Sequence, residues 1–257
     1  MKIEARESRM VIISDLHLGN PFSLAGRRLS SFLDFVRANE YSLCINGDGL
    51  EILQGSFTAL ATDVIEPLAQ LRRLIADGHR VYYIVGNHDI TLEHLLDTWL
   101  GEHICPFLNL WSGDQRIRIE HGHLYDPFFC RSPHIYELAT RMAGPLLHVY
   151  PDVYYLWSWY QGAKAKVRGL VSRRDDHREP SVYLDAAEML LHRGFDLVVF
   201  GHTHNPEVLR TPYGTYVNSG NWMRSSNYVV IDEGHVTLKR WHDDKLIESI
   251  EPARLTG

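Results

Sequence analysis

Five short runs with the pattern of β-strands, four apolar and one that alternates apolar with charged residues, are each followed by histidine, aspartate or asparagine, and this recurrence constrains the fold more than any other feature. Short apolar runs bounded by turn residues are typical of buried β-strands. Polar residues at the carboxyl ends of strands lie where α/β sheets form their ligand crevices. The sequence therefore predicts a ligand site assembled from strand ends. The runs and their endings are MVIIS before Asp15-Leu16-His17, SLCIN before Gly47-Asp48, VYYIV before Gly86-Asn87-His88-Asp89, RIRIE before His121-Gly122-His123 and DLVVF before Gly201-His202-Thr203-His204.

Helical patterns alternate with the first of these strands, and hairpin patterns follow the last. Helices are predicted over 27–39, near 62–77 and over 91–100, the first from an apolar face that repeats with helical spacing. After residue 205, apolar strands are joined by tight turns at Tyr-Gly and Asp-Glu-Gly. This order predicts an α/β fold, a two-sheet βαβ sandwich with flanking helices.

The segment 127–192 interrupts that alternation and has a helical pattern throughout. We predict a single domain over 1–257 with a helical insertion, or cap, at 127–192. Six of the eleven residues at 150–160 are aromatic, and 164–178 carries six basic residues against two acidic ones. The insertion is then either a solvated helix face packed by aromatic residues or an amphipathic surface for an amphiphilic anion at a membrane.

Composition excludes some classes of protein. A formal net charge of −6 argues against a general nucleic-acid binder, because phosphate contacts require a basic face. The three cysteines are odd in number and have no Cys-x-x-Cys spacing, so we expect a reduced, cytoplasmic setting. The charged N-terminus predicts no signal peptide, and the most apolar long window contains prolines, a histidine and an aspartate, so no transmembrane span is expected.

The side chains at the strand ends indicate a divalent metal site. Carboxylate, amide oxygen and imidazole nitrogen suit ions such as Mn²⁺, Fe²⁺, Zn²⁺ or Co²⁺. Without a thiolate in the set, a closed structural zinc site is not expected. Seven candidate ligands exceed the need of one ion, so two ions are predicted, about 3.5–4 Å apart if they share a carboxylate. His202 and His204 would then serve one ion each.

In their order, the motifs DLH, GD, GNHD, HGH and GHTH resemble those of the calcineurin-like metallophosphoesterase superfamily, and they span residues 15–204. The resemblance implies a binuclear metal-dependent phosphoesterase, for which we expect two Mn²⁺ ions, with Fe²⁺, Zn²⁺ or Co²⁺ as alternatives. It also implies the ligands of each ion. One ion would be held by Asp15, His17, Asp48 and His204, and the second by Asp48, Asn87, His121 and His202.

The same resemblance implies a catalytic role for His88, which would face the leaving group as an acid or as a stabiliser of charge. In related phosphatases, an acidic residue three places after the bridging aspartate supports this histidine, and GDGLE puts Glu51 there.

Four further polar residues remain open between a role in the site and a structural role. His123 would lie near the ligands or make a structural hydrogen bond, and Asp89 is a candidate N-cap for the helix over 91–100. Asn218 and Asn221 belong to a loop near the metals or to a turn.

A helical insertion between HGH and GHTH resembles the UDP-2,3-diacylglucosamine diphosphatases of lipid A synthesis. This implies a pyrophosphatase acting on a lipid substrate, with peripheral contact at the inner membrane surface. That family reads GNRD and HGD where this chain has GNHD and HGH, which moves the site toward general phosphatases. A soluble phosphomonoesterase or phosphodiesterase therefore remains the alternative. A non-catalytic metal-binding scaffold would be expected to lack His88 or several ligands.

Overall fold

The structure is a computed structural model that describes residues 4–54, 57–95, 104–132, 179–241 and 245–250, together with positions 135, 138 and 142. These residues form two β-sheets with helices outside them, the α/β class that the sequence predicts. Most of the predicted insertion, including the aromatic stretch 150–160 and the basic stretch 164–178, lies outside the described residues. The single-domain organisation and the helical insertion stay predictions.

The first sheet carries the strands that precede the DLH, GD and GNHD motifs. Its described strands run in the order β13-β12-β11-β2-β3-β4-β5. The pairs β2–β3, β3–β4 and β4–β5 are parallel. On the other side of β2, the pairs β2–β11, β11–β12 and β12–β13 are antiparallel. Their bounds are β2 Arg9–Ile13, β3 Ser42–Asn46, β4 Val81–Ile84, β5 Ile104–Cys105, β11 Asn227–Asp232, β12 His235–Arg240 and β13 Lys245–Ile250.

The second sheet carries the strands that precede HGH and GHTH. Its described strands run in the order β1-β6-β7-β8-β10-β9. Because β7 and β8 are parallel neighbours, the two histidine motifs emerge at the same edge of the sheet. The bounds are β1 Glu4–Arg6, β6 Phe107–Ser112, β7 Gln115–Glu120, β8 Leu197–Phe200, β9 Glu207–Thr211 and β10 Gly214–Asn218.

Helices cover the outer faces of both sheets. The helices α1 and α2 pack on the first sheet, and α4 packs on β8 and β10 of the second. The predicted apolar face of α1 is confirmed, since Leu29, Phe32, Leu33 and Val36 are all buried. The bounds are α1 Ala25–Ala38, α2 Phe57–Ala76, α3 Pro127–Arg131 and α4 Ser181–Leu191.

Between the sheets lies a dry core of aliphatic side chains that includes Ile12, Ile84, Leu110 and Val199. Two short 3-10 helices lie next to the motifs. Ile90–Leu95 directly follows the GNHD motif, and His123–Tyr125 begins at the last residue of the HGH motif. In the part of the chain that the structure describes, no helix is long and apolar enough to cross a membrane.

Candidate metal centre

The five motif loops meet at one edge of the sandwich, where backbone hydrogen bonds join DLH to GD and HGH to GHTH, and the His88 amide joins GNHD to the Asp48 side chain. The amide of Asp15 donates to Gly47 O at 3.0 Å, and the amide of His17 donates to Asp48 O at 2.9 Å. On the second sheet, Gly201 N donates to His121 O at 3.0 Å. These bonds fix the strand ends relative to one another, so the side chains that follow converge on a common space.

Asp15, His17 and His204 form one group of potential ligands, with ligand atoms within 4.8 Å of one another. His204 Nε2 lies 3.0 Å from Asp15 Oδ1, and the rings of His17 and His204 are 5.7 Å apart. They are three of the four ligands predicted for the first ion.

Asp48, His121 and His202 form a second group of the same kind. The rings of His121 and His202 are 5.2 Å apart, and Asn87, the remaining predicted ligand, is buried. Asp48 lies between the two groups, because its Oδ2 is 3.8 Å from His17 Nε2 and 3.3 Å from His121 Nε2. One carboxylate therefore faces ligands of both groups.

Unsatisfied ring nitrogens test whether a metal fits this site. In the described part of the chain, His17 Nε2, His121 Nε2 and His202 Nδ1 are buried without a hydrogen-bond partner. The opposite nitrogen of each ring is engaged, by Glu51 at 2.9 Å, by Asn46 O at 2.8 Å and by Asp126 at 3.3 Å respectively. Buried polar atoms are normally satisfied, and a ring held at one nitrogen while the other is unused is the arrangement of metal-binding histidines. The residues fit divalent ions.

Backbone conformation sets this cluster apart as well. Among the described residues, eight that are not glycine have positive φ, and five of these are predicted ligands: Asp15, His17, Asp48, His202 and His204. Left-handed conformations cost energy in residues other than glycine and cluster at functional sites. The concentration of strain at the predicted ligands is therefore a second, independent sign of a functional site.

Two glycines allow the loops to approach so closely. A Cβ atom at Gly86 would lie 2.1 Å from Asp48 Oδ1, and one at Gly47 would lie 2.3 Å from the ring of His121. Neither contact is possible, so the packing around the Asp48 carboxylate and the His121 ring requires glycine at both positions.

The electrostatics of the site are those of carboxylates and imidazoles in mutual contact. Burial opposes the charged form of His17, but the hydrogen bond to Glu51 and the charge of Asp48 raise its pKa to about 9. Burial also opposes ionisation of Asp15, yet the neighbouring His204 and His121 lower its pKa to about 2. For Asp48, the same burial is outweighed chiefly by His121, which holds the pKa well below its usual value. In the metal-free protein, positive charge on the histidine rings balances the negative charge of the Asp15 and Asp48 carboxylates.

Glu51 connects a predicted ligand to the predicted catalytic histidine. Its Oε1 is 2.7 Å from His88 Nδ1, and its Oε2 is 2.9 Å from His17 Nδ1. Burial favours the neutral carboxyl, but the hydrogen bonds from both imidazoles lower the pKa of Glu51 to about 2. An ionised Glu51 accepts from both Nδ1 atoms and turns Nε2 of His17 and His88 toward the site. The predicted contact with His88 is present, and the contact with His17 was not foreseen.

The prediction that the Asp89 side chain caps a helix over 91–100 is wrong, because this side chain binds other groups. Its carboxylate accepts from Gly86 N at 2.7 Å, from Gly49 N at 2.8 Å and from the Tyr83 hydroxyl at 2.5 Å. It therefore joins the GD loop to the GNHD loop. The described helix there is the 3-10 helix Ile90–Leu95.

The other open residues lie around the ligands. Asn218 Nδ2 donates to Gly201 O at 3.0 Å, and Asn221 Nδ2 donates to His204 O at 3.4 Å, so both asparagines support the GHTH loop. His123 is buried 5.5 Å from the His121 ring, where burial and that neighbour lower its pKa to about 3. A neutral His123 is outside both groups of potential ligands.

Three residues that the sequence analysis did not single out also contribute to the site. Thr203 lies within the GHTH loop, and Asp126 and Glu179 contact that loop from outside. Asp126 lies against His202, and Glu179 accepts a hydrogen bond from Thr203. No motif marks the two acidic residues, although Asp126 before Pro127 has the pattern of a helix N-cap, and it does cap α3.

Comparisons with known proteins bear on this site. Residues 8–206 match the family model "Calcineurin-like phosphoesterase". The chain is similar to the UDP-2,3-diacylglucosamine hydrolase of Porphyromonas gingivalis, with 23% identity over 92% of this chain and 98% of the relative. It is similar to the enzyme of the same name from Pectobacterium carotovorum, with 26% identity over 89% of this chain and 97% of the relative.

Solved structures show the same fold. The phosphoesterase Yfce from E. coli superimposes with a TM-score of 0.50 at 17% identity, covering 95% of this chain and 99% of that one. At this identity the likeness concerns the fold alone.

Proposed function

Since this chain belongs to the calcineurin-like phosphoesterase family and is a metal-dependent phosphoesterase, we propose that it holds two divalent ions and cleaves the diphosphate of a UDP-2,3-diacylglucosamine-type lipid A precursor. The observation that carries the binuclear assignment is the position of Asp48 Oδ2 between His17 Nε2 and His121 Nε2. Mn²⁺ is the ion we expect, with Fe²⁺, Zn²⁺ and Co²⁺ as alternatives that the same donor set accepts.

The proposed ligands divide between two ions that share Asp48. Divalent ions bound there would lower the pKa of water and neutralise charge on the phosphoryl oxygens. The ligands of one ion are Asp15, His17, Asp48 and His204, and those of the other are Asp48, Asn87, His121 and His202.

His88 is the proposed catalytic acid. Its Nδ1 is held by Glu51 at 2.7 Å, which leaves Nε2 to donate a proton to the leaving oxygen. The ionised Glu51 orients the ring of His88. Glu51 thus acts through His88, without itself touching the substrate.

A lipid substrate is supported by the curated relatives and by exposed apolar side chains that follow the HGH motif in the sequence. Both relatives are named for UDP-2,3-diacylglucosamine, and each alignment covers nearly the whole of both chains. After the HGH motif, five large apolar side chains are more than half exposed. Exposed apolar surface of this kind suits an acylated molecule. The five are Leu124, Phe128, Ile135, Leu138 and Met142.

This function places the protein in the cytoplasm, in peripheral contact with the inner membrane surface where an acylated substrate resides.

A soluble phosphomonoesterase or phosphodiesterase is the second candidate, and the His88–Glu51 pair favours it. A general acid is needed most when the leaving group is a poor one, as in alkyl phosphate esters. The diacylglucosamine diphosphatase pattern has arginine where this chain has His88.

The test compares the two candidates on one preparation of enzyme. Release of UMP from UDP-2,3-diacylglucosamine is measured beside hydrolysis of p-nitrophenyl phosphate and bis-p-nitrophenyl phosphate, with and without added Mn²⁺. We expect a much higher kcat/KM for the lipid, dependent on metal. Efficient turnover of a soluble ester with no release of UMP would replace the proposed substrate by the second candidate.

A further inference from the structure

The GHTH loop, residues 201–204 between β8 and β9, is the part of the centre where two proposed ligands are nearest in sequence. His202 and His204 have φ angles of 65° and 61°. Strained conformations of this kind persist only where the surrounding structure holds them in place. The contacts of this loop therefore decide whether both imidazoles face the ions.

Asp126 holds the ring of His202. Its Oδ2 lies 3.3 Å from His202 Nε2, and its Oδ1 accepts from Phe128 N at 2.8 Å, which fixes the carboxylate as the N-cap of α3. With Nε2 engaged, the buried Nδ1 of His202 is the atom left for an ion. A carboxylate behind a histidine ligand orients the ring and raises its basicity.

Glu179 holds the residue between the two histidines. Its carboxylate oxygens lie 2.8 and 3.0 Å from Thr203 Oγ1, and the side chain is only 4% exposed. The same hydroxyl accepts from Asn218 Nδ2 at 2.9 Å. Because Asn218 supplies its own proton there, the hydroxyl proton of Thr203 is directed to Glu179. The side-chain hydroxyl of Thr203 is thus held by two partners.

We propose that Asp126 and Glu179 are positioning residues of the metal centre: Asp126 orients the ring of His202, and Glu179, through Thr203, maintains the left-handed backbone of His202 and His204. The inference rests on the proposed function in taking these histidines as ligands. Both acidic residues lie in the sequence between HGH and GHTH, outside the five motifs. Asp126 and Glu179, which lie between HGH and GHTH in the sequence, thus determine the position of the metal ligands.

Matched substitutions at Thr203 and Asp126 test the inference. Thr203→Val removes the hydroxyl and keeps the branched shape, whereas Thr203→Ser keeps the hydroxyl. Asp126→Ser retains an N-cap for α3 and withdraws the carboxylate from His202. Free Mn²⁺ is measured by EPR during titration of each purified protein, which gives the dissociation constants without any substrate.

We expect Thr203→Val, Glu179→Ala and Asp126→Ser to raise the Mn²⁺ dissociation constants about 10–100-fold, the usual effect of removing a partner of a metal ligand. Thr203→Ser should bind nearly as the parent protein does. The double variant Thr203→Val/Glu179→Ala should bind no more weakly than either single variant, because both remove the same hydrogen bond.

Tyr82→Phe is the control for loss of stability alone, because Tyr82 OH binds Glu7 at the opposite end of the strands. It should lower the unfolding free energy and leave the dissociation constants unchanged. Folded Thr203→Val and Asp126→Ser proteins with parental Mn²⁺ affinity would overturn the inference. If Glu179→Ala does not fold, the Thr203 pair still decides. A parental protein that binds neither Mn²⁺ nor any of the alternative ions Fe²⁺, Zn²⁺ and Co²⁺ would instead refute the proposed function.

Discussion

Two clusters of buried polar side chains lie at opposite ends of the parallel strands β2, β3 and β4. At the amino ends, Glu7 accepts from Ser42 Oγ and Arg80 Nη1, each at 2.9 Å, and from Tyr82 OH at 2.6 Å. At the carboxyl ends, the predicted metal ligands leave buried ring nitrogens without partners and concentrate left-handed backbone. The first cluster is complete within the chain, and the second is complete only with ions. Burial of charged groups does not by itself identify a functional site; unsatisfied ligand atoms and left-handed backbone in the same residues do.

Asp48→Asn should have the largest effect, because it removes the carboxylate that both groups of ligands share. We expect hydrolysis to be abolished and bound metal to fall together, with metal counted per chain by mass spectrometry. Glu7→Gln is the comparison at the other end, and it should keep its metal while losing stability. An Asp48→Asn protein with two ions per chain and near-normal kcat would refute the binuclear assignment.

His88→Ala should separate catalysis from metal binding. Metal content should be unchanged, and kcat should fall about 10²–10⁴-fold, the usual effect of losing a general acid. The loss should be smaller for substrates whose leaving group needs no protonation. Equal losses for good and poor leaving groups would contradict the acid role and leave charge stabilisation.

Glu179 should make stability depend on pH, which is a way to distinguish it from Glu7. Burial raises the pKa of Glu179 from 4.5 to about 7, against hydrogen bonds from Thr203, Tyr216 and Asn218; Glu207 faces it as a second carboxylate. Since the folded chain keeps the proton to higher pH than the unfolded chain, the unfolding free energy falls as pH rises from 4.5 to 7. The expected loss is about 3 kcal/mol.

Denaturant unfolding of metal-free protein at pH 5 and pH 8 measures this slope. Glu179→Gln should reduce the slope by the share that Glu179 contributes, and the remainder comes from His17 and His121, whose raised pKa values also withdraw stability above pH 6.5. Glu7→Gln should leave the Glu179 share in place. If the parent and the Glu179→Gln variant lose stability equally between these pH values, the raised pKa is not the cause.

Two adjacent tyrosines of β4 provide the smallest and most closely matched test. Tyr82 OH binds Glu7 at 2.6 Å, and Tyr83 OH binds Asp89 at 2.5 Å beside the metal centre. Either Tyr→Phe change should cost about 1.5–3 kcal/mol, the range for a hydrogen bond to a charged group. Only Tyr83→Phe should also weaken Mn²⁺ binding, because Asp89 joins two ligand loops. Equal Mn²⁺ affinity in both variants would show that the Tyr83–Asp89 hydrogen bond is not needed to position the metal ligands.

Much of this arrangement could be predicted from sequence because it depends on local patterns. The strands before the five motifs begin and end within one residue of the predicted bounds. Each has an apolar or alternating pattern and is followed by a glycine or a polar residue, which marks its end. The missed strand β1 has no such pattern, because only Ala5 of its three residues is buried, and it forms by pairing with β6. The sequence analysis also missed β6. Its leucines at alternate positions, Leu108 and Leu110, both buried, were a sequence signal that could have been used.

The supports of the site could not be predicted in the same way. Glu51 has a fixed distance from Asp48 in sequence, so its contact with His88 was expected. The partners of Asp89, Asp126 and Glu179 lie on other elements and depend on how the sheets and loops pack. An isolated acidic residue carries no pattern that distinguishes such a role from a solvated surface charge.

The left-handed backbone at five of the predicted ligands also limits how a lineage of such chains can change its metal. Aspartate, asparagine and histidine enter that conformation several-fold more often than other residues with a side chain, and the same three amino acids supply oxygen and nitrogen ligands. Glutamate or cysteine would still coordinate an ion, but each would add about 1–2 kcal/mol of backbone strain. Evolution toward a new metal preference at these positions would therefore proceed mainly by exchange among three amino acids.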